Sequence, residues 1–281
     1  MKPSLKLLLL FALLMPIIGT CSDDRPMDGG EPTDSITYLV PAIVRTIPHM
    51  NYYAREAFTQ GLLCHDGLLY ESNGTNDKSN IRSIDPADGS IVERVFFPTD
   101  PEIMPYCTPY CFGEGITIKD GRIVQLTFLL ARTFSWSIPD LDFLGVEYYY
   151  NMVGWGITTV DSSFVTTHGS DTLYFRDDSF EVTKKVPVTF RAEPLDSLNE
   201  METVDGTIYA NVLGHKLIYG IDPASGVVHT VVNCSALIDS ANVNNDQDPL
   251  NGIAYDAATG YFYLTGKNWP LIFEVLLEEE E

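Results

Sequence analysis

Five segments of this chain read as copies of one another, and that repetition limits the fold more than any other feature. They begin at Gln60-Gly61-Leu62, Glu114-Gly115-Ile116, Trp155-Gly156-Ile157, Asn199-Glu200-Met201 and Asn251-Gly252-Ile253. Each runs into a turn (Asp66-Gly67, Asp120-Gly121, Asp161-Ser162, Asp205-Gly206, Thr259-Gly260) and then into a second run of β-branched, apolar and aromatic residues. Ile84-Asp85-Pro86 and Ile221-Asp222-Pro223 mark a third run and another turn. From Ile36 onward no long stretch carries the apolar spacing of a helix. A period of roughly 40–50 residues with four strands per unit is the signature of a β-propeller. The sequence therefore predicts an all-β, five-bladed β-propeller. Its last repeat ends one strand short, after Ile272-Phe273-Glu274-Val275. The run Tyr38 to Ile47 has the length to supply that outer strand and close the ring, leaving no long exposed edge.

The rest of the chain divides around this domain. Lys2 and Lys6 precede an apolar stretch, Leu7 to Ile18, that is too short to span a bilayer comfortably. Residues 1–20 are thus expected to be a signal peptide. Ile18-Gly19-Thr20-Cys21, followed by Ser22-Asp23-Asp24, resembles a bacterial lipoprotein signal in which Cys21 becomes the lipidated first residue. Thr20 departs from the usual small residue before that cysteine, so ordinary secretion stands beside lipidation. Either route exports the protein, as a lipid-anchored outer-membrane or cell-surface lipoprotein or as a periplasmic or secreted one. Residues 21–35, rich in Asp, Gly, Pro and Glu, read as a flexible tether, 36–277 as the propeller and 278–281 as an acidic tail.

Composition narrows the partners. The 45% hydrophobic and 11% aromatic content of the 281 residues supplies a core. Seventeen basic against 39 acidic residues leave a formal charge of -22, a field that repels nucleic acid and anionic lipid. Membrane contact is expected only through a lipid anchor, and the protein is expected to be a monomer. Cys107 and Cys111 flank a tight loop suited to a disulfide in an oxidising compartment, while Cys64 and Cys234 read as buried small hydrophobes. The five histidines are scattered without ligand spacing, so neither a metal nor a cofactor is expected.

In a propeller the first strand of each blade lines the central channel, so equivalent positions converge on the axis. The residues opening the repeats are Gln60, Glu114, Trp155, Asn199 and Asn251. Fourteen residues later stand Gly74, Phe128, Gly169 and Leu213, with Lys267 taking that place in the fifth repeat after a small insertion. One carboxylate, three carboxamides, an ammonium and several aromatics make a ligand-site composition. Each also has a plainer account: Asn199 and Asn251 as turn caps, Trp155 as core filler, Lys267 as a solvated cation, Glu114 as a surface carboxylate. The glycines around Glu114 in Phe112-Gly113-Glu114-Gly115-Ile116 favour a ligand-facing role, since they let a ligand approach and leave the carboxylate in apolar surroundings.

The segments Ala57-Phe58-Thr59-Gln60-Gly61-Leu62, Phe112-Gly113-Glu114-Gly115-Ile116-Thr117, Gly154-Trp155-Gly156-Ile157-Thr158, Leu198-Asn199-Glu200, Leu250-Asn251-Gly252-Ile253-Ala254 and Thr265-Gly266-Lys267-Asn268-Trp269-Pro270 resemble, in order, the glutaminyl-peptide cyclotransferases of plant and bacterial type. Three further segments, Leu69-Tyr70-Glu71-Ser72, Gln125-Leu126-Thr127 and Ile208-Tyr209-Ala210-Asn211-Val212, extend the match to about residues 38 to 276. The resemblance implies a five-bladed propeller that cyclises the N-terminal glutamine of peptides or proteins to pyroglutamate. It implies Glu114 as general acid/base, with Phe58, Gln60, Phe112, Trp155, Asn199 and Lys267 shaping or binding the substrate. The chain departs from the family where Phe128 and Leu213 stand in place of tryptophans and Val153 in place of a glutamate. Pro48-His49-Met50 likewise alters a Pro-His-Asp approach. Two other readings stay open: a non-catalytic peptide-binding propeller, and a lactonase-type hydrolase holding calcium on Glu114, Asn199 and Asn251.

Overall fold

A computed structural model describes residues 36–50, 56–75, 78–97 and 111–280. The signal peptide, Cys21, the tether and Cys107 lie outside the described residues. The chain separates into a unit before residue 35 and a compact unit from Ser35 to Glu281. Its described residues are all-β apart from one short helix.

The chain enters through β1 (Thr37–Pro48). A four-stranded antiparallel sheet follows, β2 (Thr59–His65), β3 (Leu68–Asn73), β4 (Asn80–Ile84) and β5 (Ile91–Phe96). The next comprises β6 (Gly113–Lys119), β7 (Arg122–Thr127), β8 (Arg132–Trp136) and β9 (Phe143–Tyr149). A third is built from β10 (Ile157–Val160), β11 (Ser163–Thr166), β12 (Thr172–Arg176) and β13 (Val182–Pro187). A small ribbon, β14 (Thr189–Phe190) with β15 (Glu193–Pro194), leads on. Then come β16 (Leu198–Val204), β17 (Thr207–Val212), β18 (Leu217–Ile221), β19 (Val228–Asn233) and α1 (Ser235–Ala241). The chain closes with β20 (Leu250–Asp256), β21 (Tyr261–Gly266) and β22 (Leu271–Glu279).

The turns expected from Asp-Gly pairs are tight ones. Asp66-Gly67, Asp120-Gly121 and Asp205-Gly206 all have φ near +50° and then near +77°, the pair of left-handed residues that a two-residue hairpin turn needs. They set the register of the first two strands in three of the repeats.

The N-terminal strand pairs as expected, antiparallel to β22 from Leu39↔Glu279 to Pro48↔Leu271 with one bulge. It also does something the sequence did not announce. Its first three residues pair in parallel with Thr230, Val231 and Val232 of β19. The strands β16–β19 and β20–β22 thus merge through β1 into one eight-stranded sheet. The acidic tail expected from residue 278 is corrected in part: Glu278 and Glu279 belong to β22, because Val40 and Leu39 offer them a backbone to pair with.

The core is divided between sheet faces. Tyr70 and Ile81 pack with Ile116, Phe134 and Trp136, and Val124 and Leu126 pack with Ile157 and Phe164. Val165 and Leu173 meet Met201, Ile208 and Val231. Ile218 and Val232 meet Ile253, Phe262 and Trp269, and finally Tyr263 and Ile272 meet Leu62 and Leu69 of the first sheet. Each apolar layer lies between one set of strands and the next, and the last returns to the first. The first strands follow the same cycle, β2 against β6, β6 against β10, β10 against β16, β16 against β20 and β20 against β2. Burying both faces of every sheet in this way needs no separate helical layer.

Cys234 is buried in the apolar layer around α1, and half-buried Cys64 packs beside Leu62 and Ile47. Burial pushes both thiols up to about 12, which disfavours the reactive thiolate. Cys111 is disulfide-bonded.

Candidate active site

Four of the five repeat-opening residues occupy the second position of a first strand: Gln60 in β2, Glu114 in β6, Asn199 in β16 and Asn251 in β20. Each sits in a register shift, between Thr59 and Gly61, Gly113 and Ile116, Leu198 and Met201, and Leu250 and Ile253. A bulge leaves a residue outside the ladder and turns its side chain away from the sheet face. The recurring bulge is what aims these polar side chains, and it is invisible in residue types alone. Trp155 lies just ahead of β10, held by its amide donating to the Thr167 carbonyl at 3.1 Å.

Three of the four positions fourteen residues on are equivalent in backbone terms. The amides of Gly74, Phe128 and Leu213 donate to the carbonyls of Phe58, Phe112 and Ser197, each two residues before a repeat opening. Lys267 makes the same bond, to Pro249, two residues before Asn251. The insertion in the fifth repeat therefore moves a lysine into the place that other repeats give to glycine, phenylalanine or leucine.

Glycine holds two of these places for a steric reason. A Cβ at Gly74 would stand 2.3 Å from Cε1 of Phe112 and 2.7 Å from Cγ of Gln60, and one at Gly169 would stand 2.7 Å from the Trp155 indole. The two rings occupy the space that side chains would fill. Phe112 is a hub: its ring lies 6.1 Å from that of Phe58, edge to face, and 6.2 Å from that of Phe128. The Lys267 ammonium sits 5.1 Å over the Phe58 ring. Phe58, Gln60, Phe112, Glu114, Phe128 and Lys267 are thereby gathered together. Trp155 and Asn199 join through their backbones, since the Gly115 amide donates to the Trp155 carbonyl at 2.7 Å and the Thr167 hydroxyl donates to that of Asn199 at 2.9 Å. Leu213 shares the backbone position but is 38% exposed.

Electrostatically the site rests on one pair. Glu114 is 4% exposed, and burial raises its carboxyl well above the ordinary carboxylate range, partly offset by the positive charge of Lys267. Burial lowers Lys267 to about 8, partly offset by Glu114. No hydrogen bond is made to the Glu114 carboxyl among the described residues. Gln60 Oε1, Asn199 Oδ1 and Asn251 Oδ1 are buried acceptors without a hydrogen-bond partner among the described residues, the kind of atom that a ligand's N–H groups satisfy. For Asn251 the orientation is fixed, because its Nδ2 donates to the Thr59 carbonyl at 2.9 Å. Asn251 is therefore no mere turn cap.

Three groups near the site were not singled out from sequence. Tyr150 donates its hydroxyl to the Thr127 carbonyl at 2.6 Å; burial raises its phenol, opposed by the Thr127 bonds and reinforced by the charge of Glu114. Glu71 is wholly buried with Arg82, whose Nε lies 2.6 Å away, and takes a 2.6 Å bond from Thr59 beside Gln60. Glu200 is 1% exposed. Glu71 and Glu200 both fall in segments that carry the family resemblance, but a single sequence gives no signal of their burial, because burial is decided by chain packing. No group of three His, Cys, Asp or Glu side chains is placed to hold a metal among the described residues.

Fold and site together define an all-β enzyme with a buried carboxylate–lysine pair and aromatic walls at the inner ends of its sheets. The glutamine cyclotransferase family model matches residues 13–277, and the chain belongs to that family. It is 29% identical over 241 residues to a glutaminyl-peptide cyclotransferase of Arabidopsis thaliana, covering 84% of this chain and 71% of that protein. The crystal structure of Myxococcus xanthus glutaminyl cyclase superposes with a TM-score of 0.77 at 31% identity, covering 88% of this chain and all of that one.

Proposed function

We propose that this protein cyclises N-terminal glutaminyl residues of peptides or proteins to pyroglutamate, releasing ammonia, with Glu114 as the general acid/base. The observation that carries the reading is Glu114 itself: a carboxyl buried in an aromatic setting, balanced by the charge of Lys267, and without a hydrogen bond among the described residues. The reaction joins the substrate's α-amine nitrogen to its own γ-carboxamide carbon and expels that carboxamide's nitrogen as ammonia. One carboxylate suffices for the protons, taking one from the attacking amine and giving one to the departing nitrogen. Burial brings its proton affinity towards that of a group able to do both. Because the attack is intramolecular, holding the glutamine side chain curled supplies much of the acceleration. Gln60 and Asn199 offer acceptors for the substrate's N–H groups, and Lys267 is the cation available to the developing oxyanion.

The fold we assign is a five-bladed propeller with β1 as the outer strand of the last blade. The cyclic contacts of the first strands and the cyclic apolar layers support it. We also propose export by the signal at residues 1–20, with Cys21 as a lipid anchor, from the charge and hydrophobic pattern there. A calcium-dependent hydrolase is disfavoured by Lys267, whose charge opposes a cation beside Glu114. The test is incubation with a Gln-initiated dipeptide, reading ammonia and pyroglutamyl product. Stoichiometric release supports cyclisation, and tight binding without ammonia favours the peptide-binding alternative.

A further inference from the structure

The residue after each repeat opening is Gly61, Gly115, Gly156, Glu200 and Gly252. Three of the glycines are forced by backbone approach. A Cβ at Gly61 would stand 2.6 Å from the Ile116 amide nitrogen, at Gly115 2.7 Å from the Trp155 carbonyl, and at Gly156 1.9 Å from the Asn199 carbonyl. Strand meets strand directly from the first repeat to the fourth. At the fourth the rule breaks, and a glutamate stands where every other repeat has no side chain.

That glutamate spans the remaining seam. Its Oε1 accepts the Leu62 amide of β2 at 3.3 Å and its Oε2 the Ile253 amide of β20 at 2.9 Å. Those amides lie two residues beyond Gln60 and Asn251: Ile253 closes the second bulge, and Leu62 is the residue after the one that closes the first. Asn251 in turn donates to the Thr59 carbonyl, next to Gln60. One carboxylate on β16, adjacent to Asn199, therefore tethers the strand segments that carry Gln60 and Asn251. Resting on the cyclase reading above, we infer that Glu200 is a positioning residue for the cyclisation, fixing the two bulges that present Gln60 and Asn251. It touches no reacting atom.

A staple that served only stability would change the melting temperature and leave turnover alone. The experiment compares parent and Glu200→Gln, whose amide nitrogen cannot accept an N–H. The kcat for a Gln-dipeptide is expected to fall about tenfold with KM within about twofold, since misplaced groups cost rate more than uniform binding. The side-chain amide NMR signals of Gln60 and Asn251 are expected to shift. Parental kcat, or unmoved Gln60 and Asn251 signals, overturns the inference. Should the amide variant fail to fold, Glu200→Asp retracts the carboxyl by one methylene and is judged by the same two measurements. A parent that released no ammonia would sink the cyclase reading, while the NMR arm would still decide whether Glu200 sets the two side chains.

Discussion

Glu114 and Lys267 hold each other's charge inside a site where burial opposes both. Burial raises the carboxyl and lowers the ammonium, and each charge works against the other's shift. Removing Lys267 removes the force that lowers Glu114. In Lys267→Met the acid limb of the kcat/KM profile, which reports the carboxylate, is expected to move to higher pH. An acid limb that stays in place would uncouple the two groups.

Lys267 by itself makes stability depend on pH with a definite sign. An unfolded chain keeps the Lys267 proton up to the ordinary 10.5, whereas the folded one releases it near 8. Between those values the unfolded state binds more protons, so stability contributed at this site rises with pH. The melting temperature of the parent is expected to rise relative to that of Lys267→Met across that window as pH increases. A constant difference would contradict the buried ammonium.

Glu114→Gln keeps shape and burial but cannot carry the proton. Turnover is expected to fall by about 10²-fold or more, with circular dichroism unchanged, since shape and burial are kept. Ammonia release at the parental rate would reject the acid/base role and leave the fold assignment intact.

Leu213 and Phe128 occupy equivalent backbone positions, yet Leu213 brings no ring. Leu213→Trp is expected to lower KM about fivefold, matching roughly 1 kcal/mol from an added aromatic face, with little change in kcat. Phe128→Trp is expected to do less. Equal KM values for Leu213→Trp and parent would place this wall away from the substrate.

Gly169 has a φ of +83° and lies against the Trp155 indole. Gly169→Val is expected to cost roughly 1–3 kcal/mol in stability from backbone strain and to raise KM by displacing the indole. Unchanged thermal unfolding and KM would show that the ring has room to spare.

Much of this was legible before any coordinates. Repeat spacing, Asp-Gly turns and alternating strands fix local structure by short-range rules, so the units and their hairpins follow from residue types. Glu114, Gln60, Asn199 and Lys267 stood out as polar residues at equivalent repeat positions, and Tyr38 to Ile47 as a strand without a partner. What the sequence could not supply were relations between residues far apart in the chain. The bulges that aim Gln60 and Asn251, the parallel pairing of β1 with β19, and the strand character of Glu278 and Glu279 depend on which backbones come to lie alongside. The burial of Glu71 and Glu200 was likewise hidden, because a glutamate in a strand looks the same whether it faces water or another strand's amides. Packing alone decides between those environments, and with them whether a carboxylate holds a proton.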